Sequence, residues 1–319
     1  MLFYTFATVT ILKRKDNKVI SVLISNLKTR KLLEWLYEKT IKFLGYISIV
    51  VLLLILVFLL KDGLRLFSKV SLGDFLLGDK WYPISSPPKF GILPLIIGSL
   101  VVTLTAALIS VPLGVACAIY IAEIANLRIK EFLKIIVELI AGIPSVVLGF
   151  LGILVLAPFV RELFNLPTGL TAFTGALILA FMAIPTIASI SEDAINSVPK
   201  DYREAALALG ATKWQTICRI LVPTASSGIL AAALLGIGRV IGETMVVMMV
   251  CGNASVIPKS IFQPVRTMTA TIAAEMGETV HGSLHYEALF AIGLVLFLIS
   301  FCINFLADLA IRRKGFRLR

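Results

Sequence analysis

The sequence predicts an all-α integral membrane protein with six transmembrane helices, and three observations predict it. The chain is 58% hydrophobic and only 15% charged, with a mean hydropathy of +0.96, against roughly 45–50% and 25% in soluble domains. Six charge-free apolar runs occur, Phe43–Leu60, Phe90–Ala122, Leu139–Val160, Leu163–Ser191, Ile220–Gly238 and Ala288–Ala307. Each reaches about 18 residues, enough to cross a hydrocarbon core of about 30 Å. The third observation is the sorting of basic residues between the ends of these runs.

A net charge of +11 and a pI near 9.6 would otherwise suggest a nucleic-acid partner. With the N-terminus inside, the inside segments hold nine Lys and Arg (1–42), three (126–134), four (200–219) and five (312–319), 21 altogether. The outside segments hold five (61–89), one (161) and two (259–266), eight altogether, and Arg239 is left within a span. This is the positive-inside pattern of a multi-pass cytoplasmic-membrane protein with both termini cytoplasmic. No DNA- or RNA-binding motif accompanies the charge, so no nucleic-acid partner is expected.

Taken in order, residues 1–42 form a cytoplasmic tail. MLFYTFATVTIL lacks a basic n-region and a cleavage site, which disfavours a signal peptide. Residues 28–42 mix Lys, Arg and Glu with Leu and Trp35, as an interfacial amphipathic helix does. Residues 43–311 form the six-span domain, and 312–319 a basic tail. GDKWYPISSPPKFG (78–91) reads as an ordered external loop with Trp81 and Tyr82 at the headgroup level. Pro94 and Pro112 in span two, AGIPSVVLGF (141–150) in span three and AIPTIAS (183–189) in span four predict kinked helices, tolerated where neighbours or a cavity satisfy the backbone. Ordinary bundle packing would also use them. The four cysteines, Cys117, Cys218, Cys251 and Cys302, have no metal or redox spacing and read as buried apolar residues without a disulfide.

The loop between spans four and five, about 192–222, contains SVPKDYREAALALGATKWQTICRILVP (197–223). Pro199 opens a helix, Gly210 ends it as a left-handed cap, and Thr212 caps a second helix, Lys213–Leu221. Small and apolar residues exposed at a membrane's inner face suit docking on a partner, although packing against the chain's own bundle fits equally.

EAALALGATKWQTICRILVP resembles the EAA motif of ABC importer permeases. Glu204, Ala205, Ala206, Gly210, Ile220 and Pro223 fall in register, and Val222 stands where the motif usually has Leu. With the Trp81–Pro83 W-x-P, FGILPLIIGSL (90–100), VPLGVACAIYIAE (111–123), AGIPSVVLGF, IPTIASISEDA (184–194), GRVIGETM (238–245) and HYEALFAIGLVLF (285–297), the chain is similar to the PstC-type permease subunits of phosphate importers. The resemblance implies a type I ABC importer permease fold. It implies a second permease of the PstA type, two ATPase subunits of the PstB type and an external phosphate-binding protein of the PstS type. It also assigns the EAA residues to coupling with the ATPase. No GxxxxGK[ST] occurs, so no cofactor is expected on this chain, and ATP with Mg would sit on the partner ATPase.

GRVIGETM poses the sharpest problem, because Arg239 and Glu243 fall in a run that otherwise continues apolar to about Val250. Each charge costs roughly 2.5–3.5 kcal/mol at mid-bilayer. On a continuous helix the two are four residues apart and can pair, while Gly238 and Gly242 on the neighbouring face form a GxxxG packing surface. Two roles fit: a structural bridge between helices, or a substrate pathway of Arg239, Glu243 and Thr244 in which an oxyanion exchanges with Glu243 for the guanidinium.

GIGRVIG (236–242) has the wrong last gap and the wrong context for a dinucleotide fingerprint. His281 and His285 lack a third ligand, and no metal or catalytic residue is expected. Glu275 and Glu278 read either as an exposed external turn, or as part of a segment 264–275 that dips into the membrane. In the second case Arg266, Thr267, Thr269 and Glu275, with the Thr271 hydroxyl, line the access path. The function implied is phosphate import by alternating access. The alternatives are another oxyanion, such as sulfate or molybdate, and a proton-coupled secondary transporter with Glu243 as the titrating carboxylate. The topology predicts that cysteines placed singly at 200–215 in a cysteine-free chain resist an impermeant maleimide in intact cells. External labelling there would overturn it.

Overall fold

The computed structural model describes residues 34–316, with side chains to Phe305. Residues 1–33, most of the expected tail, and 317–319 lie outside the described residues. The chain divides into two units, Met1–Phe58 and Leu59–Arg319. Helix α1 runs Glu34–Ser68. It has no break at residues 42–43, so the described part of the expected interfacial helix, 34–42, is the start of α1. In the first unit every side chain from Glu34 to Ile55 is exposed.

The second unit is built around one helix. Five helices among the described residues are long and apolar enough to cross a membrane: α1, α3 (Leu93–Ile124), α5 (Ser145–Leu163), α6 (Ala172–Asn196) and α12, whose crossing segment is Leu284–Phe305. A sixth is the bent pair α8 (Lys213–Thr224) and α9 (Ser226–Ile241), which meet at 70°. The crossing window of α6 is 61% buried against 28% for α3 and 33% for α12, which makes α6 the axis of the bundle. It is capped by Thr171, whose hydroxyl accepts from Thr174 N, and it packs on α3, α9, α4 (Leu127–Ala141) and α10 (Met245–Val250).

Glycines set how closely the helices approach this axis. A Cβ on Gly114 of α3 would lie 2.7 Å from Ile187 Cγ2, and one on Gly236 of α9 would lie 2.5 Å from Ile187 Cγ1. Ile187 is fully buried, so one α6 side chain sits in two notches. Small-residue notches of this kind bring helix backbones together where lipid offers no hydrophobic drive.

The ends of the bundle are closed differently. At one end, α2 (Leu72–Leu77) and a hairpin of β1 (Trp81–Tyr82) and β2 (Lys89–Phe90), paired Trp81 to Phe90, cover a cluster that includes Phe75, Ile92, Met268 and Leu289. Trp81 is 1% exposed, and so it is a core residue rather than a headgroup anchor. At the other end, α8 packs on the ends of α3 and α6 through Ala118, Ile195, Ile217 and Leu221, and α7 (Lys200–Ala208) packs on α8.

The spans differ from expectation in two places. Span four starts at Ala172 rather than Leu163, because Asn165 turns left-handed at φ 49° and Gly169 lies against the Ala157 carbonyl. Span five is not continuous to Val250: α9 stops at Ile241, residues 242–244 break it, and α10 follows. Two π-helical stretches, Gly152–Leu156 and Ile217–Leu221, end two residues before Pro158 and Pro223, where a proline removes an amide from the ladder and the helix widens. The thiols are free; Cys251 is buried, whereas Cys218 and Cys302 are exposed and not buried as expected.

The Ile187 notches predict that Gly236→Ala destabilises the protein by about 1–3 kcal/mol, as overpacking does. Ile187→Ala removes both clashing carbons, so the double variant should recover part of the thermal stability lost by Gly236→Ala in detergent. Strict additivity of the two losses would refute the contact.

Candidate transport pathway and coupling surface

The 197–225 loop folds as its residues dictate. Pro199 sets the entry into α7, and Gly210, at φ +81°, ends it. Ala211 N donates to Ala206 O at 3.1 Å and Gly210 N to Leu207 O at 3.0 Å, the two bonds of a Schellman motif. Thr212 and Gln215 form a reciprocal capping box at the start of α8, which satisfies two amides that the helix cannot. Of the expected coupling residues, Ala206 is buried and Ile220 half-buried, while Glu204, Ala205, Gly210 and Pro223 are exposed. Leu207, Leu209 and Trp214 are 49%, 89% and 62% exposed, so the loop presents an uncovered apolar rim. One ionic contact ties the loop to the bundle: Arg203 of α7 pairs with the buried Glu123 in the π-helical end of α3.

A second ionic anchor was not legible in the sequence. Glu192, 3% exposed in α6, accepts from Lys130 and Lys134 of α4 at 3.1 and 3.0 Å and from Asn196 Nδ2 at 3.0 Å. Lysines four apart on the amphipathic α4 and a lone glutamate ending an apolar run were its only signals.

The break at 242–244 separates the expected Arg239–Glu243 pair. Glu243 Oε1 accepts from the amides of Thr244 (3.2 Å), Met245 (3.1 Å) and Val246 (3.5 Å). It is thereby the cap of α10, and its negative charge faces that helix's positive end. Arg239 instead lies exposed in the last turn of α9, with Nη1 donating to Thr186 Oγ1 of α6 at 3.3 Å. Among the described residues no carboxylate is within 4.0 Å of it. The GxxxG surface is likewise unused among the described residues: a Cβ on Gly238 would meet nothing within 4 Å, and one on Gly242 only its own helix. The Thr244 hydroxyl donates to Gly242 O at 3.4 Å.

At the hairpin end, residues 264–275 are neither an exposed turn nor a row of free hydroxyls. Thr267, Thr269 and Thr271 are buried. Thr267 caps α11 (Met268–Glu275), Thr271 bonds to Thr267 O, and Thr269 donates to the Glu243 carbonyl at 2.9 Å. α11 is therefore tied directly to the break in span five. Glu275 collects three partners, two near it in sequence and one distant: Arg266 Nη1 at 2.8 Å, His285 Nε2 at 2.7 Å and Trp81 Nε1 at 3.1 Å. They line a cavity of about 800 Å³ that opens to the surface. Among the described residues no group of three or more His, Cys, Asp or Glu is placed to hold a metal.

Residues 110–315 match the family described as "Binding-protein-dependent transport system inner membrane component". The chain is 42% identical over 304 residues to the probable ABC transporter permease protein YqgH of Bacillus subtilis, covering 94% of this chain and 98% of that protein. It is 38% identical over 259 residues to the phosphate transport system permease protein PstC of Mesorhizobium japonicum, covering 75% and 78%. To PstC of Haemophilus influenzae it is 32% identical, covering 88% and 94%. Two solved structures share its fold. One is a bacterial ABC transporter involved in import of the polysaccharide alginate (17% identity, TM-score 0.59, 88% of this chain and 98% of that one). The other is the inward-facing MetNI methionine transporter (22%, TM-score 0.53, 70% and 94%). The chain therefore belongs to the family of binding-protein-dependent transport system inner membrane components, with a type I importer permease fold, and is a permease subunit of an ABC transporter.

Proposed function

We propose that this chain is one half of the membrane pathway of an ATP-driven phosphate importer in the cytoplasmic membrane, with both termini inside. A PstA-type permease forms the other half, two PstB-type ATPases dock below, and a PstS-type protein delivers phosphate from outside. The observation that carries the substrate reading is Arg239. Its guanidinium is exposed at the end of a broken span, holds one neutral partner and has no carboxylate competitor among the described residues. A planar guanidinium presents paired donors that match two oxyanion oxygens, and Thr186 adds a hydroxyl beside it. The PstC names of several relatives point the same way.

The uncovered face of α9, with Gly238 beside Arg239, is where the second permease or the anion itself approaches. Glu243 and Thr244 then act by holding the break open rather than by exchanging with substrate. Glu243 spends its carboxylate on three amides, which disfavours a proton-coupled carrier built on that residue. Sulfate or molybdate would satisfy the same guanidinium, and uptake assays distinguish them from phosphate.

Arg239→Gln should lower phosphate uptake about 100-fold, the order of one lost charge-assisted contact to an anion. The complex should still assemble and hydrolyse ATP. Normal uptake, or failure to assemble, would return Arg239 to a structural role.

The coupling reading rests on the exposed rim of α7 and α8 and on the Arg203–Glu123 pair. Arg203→Glu should leave ATPase docking intact while uncoupling hydrolysis from uptake. The reciprocal pair Arg203→Glu with Glu123→Arg should restore uptake. If the double variant is no better than the single one, force does not pass through this contact.

A further inference from the structure

The Glu275 cluster is over-provided for a structural bridge. Three donors converge on one carboxylate, and two of them, Trp81 Nε1 and His285 Nε2, hold it without Arg266. Arg266 is under-provided. Its side chain is 18% exposed, one nitrogen contacts Glu275, and its Nε is buried with no acceptor. A buried guanidinium donor left unmatched marks a place where an acceptor is missing. Both residues line the cavity of about 800 Å³, within the range of small-ligand sites. The cavity wall is tied to the break in span five through α11: Arg266 precedes α11 by two residues, and Thr269 of α11 donates to the Glu243 carbonyl.

From this geometry we infer that Arg266 is an outer capture site for the transported oxyanion. An incoming anion takes the place of Glu275 on the guanidinium while Trp81 and His285 retain the displaced carboxylate. Glu275 is then a built-in competitor that keeps capture weak, and Glu278 on the cavity wall adds to the repulsion that moves the anion on. The inference rests on the oxyanion-import reading above and assigns to it a second, external site.

The test uses the assembled transporter in lipid nanodiscs without its external binding protein, with radiolabelled inorganic phosphate as the probe. Glu275→Gln removes the competing charge but keeps the shape, and should tighten phosphate binding at least threefold. Arg266→Gln should weaken it at least tenfold, with Arg266→Lys in between. Arg239→Gln removes the inner anion site, so the phosphate binding that remains in that background should show the same opposite response to Glu275→Gln and Arg266→Gln. A structural bridge predicts instead that Glu275→Gln and Arg266→Gln weaken binding together, or that neither changes it, and either result overturns the site. If Arg266→Gln does not assemble, Glu275→Gln alone decides: tighter binding supports the site, and weaker or unchanged binding refutes it. Should the wild-type complex bind sulfate and not phosphate, with the same opposite response of the two variants, the capture site stands and the phosphate assignment fails. Phosphate uptake that is normal in the wild type, with no oxyanion bound at this cavity, keeps the function and removes the site.

Discussion

A helix broken at membrane depth leaves peptide amides that no water can satisfy, at several kcal/mol each. The break at Gly242–Thr244 meets this constraint with a single side chain, the Glu243 carboxylate laid across the amides of residues 244–246. The rest of the site follows from that choice. With its carboxylate committed to α10, Glu243 is lost as a partner for Arg239, which is left with the Thr186 hydroxyl. The Glu243 carbonyl, freed by the break, accepts from Thr269 and so fixes α11 and the Arg266–Glu275 pair beside it.

The break is held steady by the packing beneath it. α6 is gripped along its length by glycine notches: Gly114 and Gly236 on Ile187, Gly228 on Ala194, and Gly152 on Ile178. Close backbone approach over that length leaves little freedom for α6 to shift relative to α3 and α9. Among the described residues of the second unit, the ion pairs that link separate elements fall into two groups, the Glu275 cluster at one end and the Glu123 and Glu192 pairs at the other. A rigid middle with ionic ends suits a subunit that moves as a body and is addressed from outside and inside separately.

Local chemistry was legible in the sequence wherever it is read along one segment. The apolar runs located the spans, and Pro199, Gly210 and Thr212 located the helix–turn–helix, because capping and left-handed glycine depend on near neighbours. The reading failed where a local pattern had two solutions. Spacing of i and i+4 pairs Arg239 with Glu243 only if the helix continues, and here the carboxylate instead accepts from the three amides one to three residues on. GxxxG marks a close approach only if a helix arrives, and among the described residues α6 is met at Gly114, Gly152, Gly228 and Gly236 instead. The Glu275 cluster was legible only in part: Arg266 and Glu275 were read together on an access path, but Trp81 lies 194 residues from its partner, and no periodicity links them. The same holds for Glu192, whose lysines come from α4, with α5 between the two in the chain.

The carboxylates also order the two arginines. Arg266 meets an anion only against competition from Glu275, whereas Arg239 has a neutral partner. On the import reading, a passing oxyanion exchanges a contested guanidinium for an uncontested one, so its free energy falls from the outer cavity towards the break in span five. Falling free energy drives filling of the inner site and opposes release from it. Release must therefore be driven by a change at Arg239 itself. The elements that hold Arg239 are α9, which leads directly from the 197–225 loop through the bend at Ala225, and α6, which carries Thr186. Both are attached to the loop where the ATPase would dock, α9 by the chain and α6 through Ile195 and its cluster with Ile217 and Leu221. On that reading, work done on the loop would reach the Arg239–Thr186 contact through two packed helices, and that contact is the one whose change would let the anion leave.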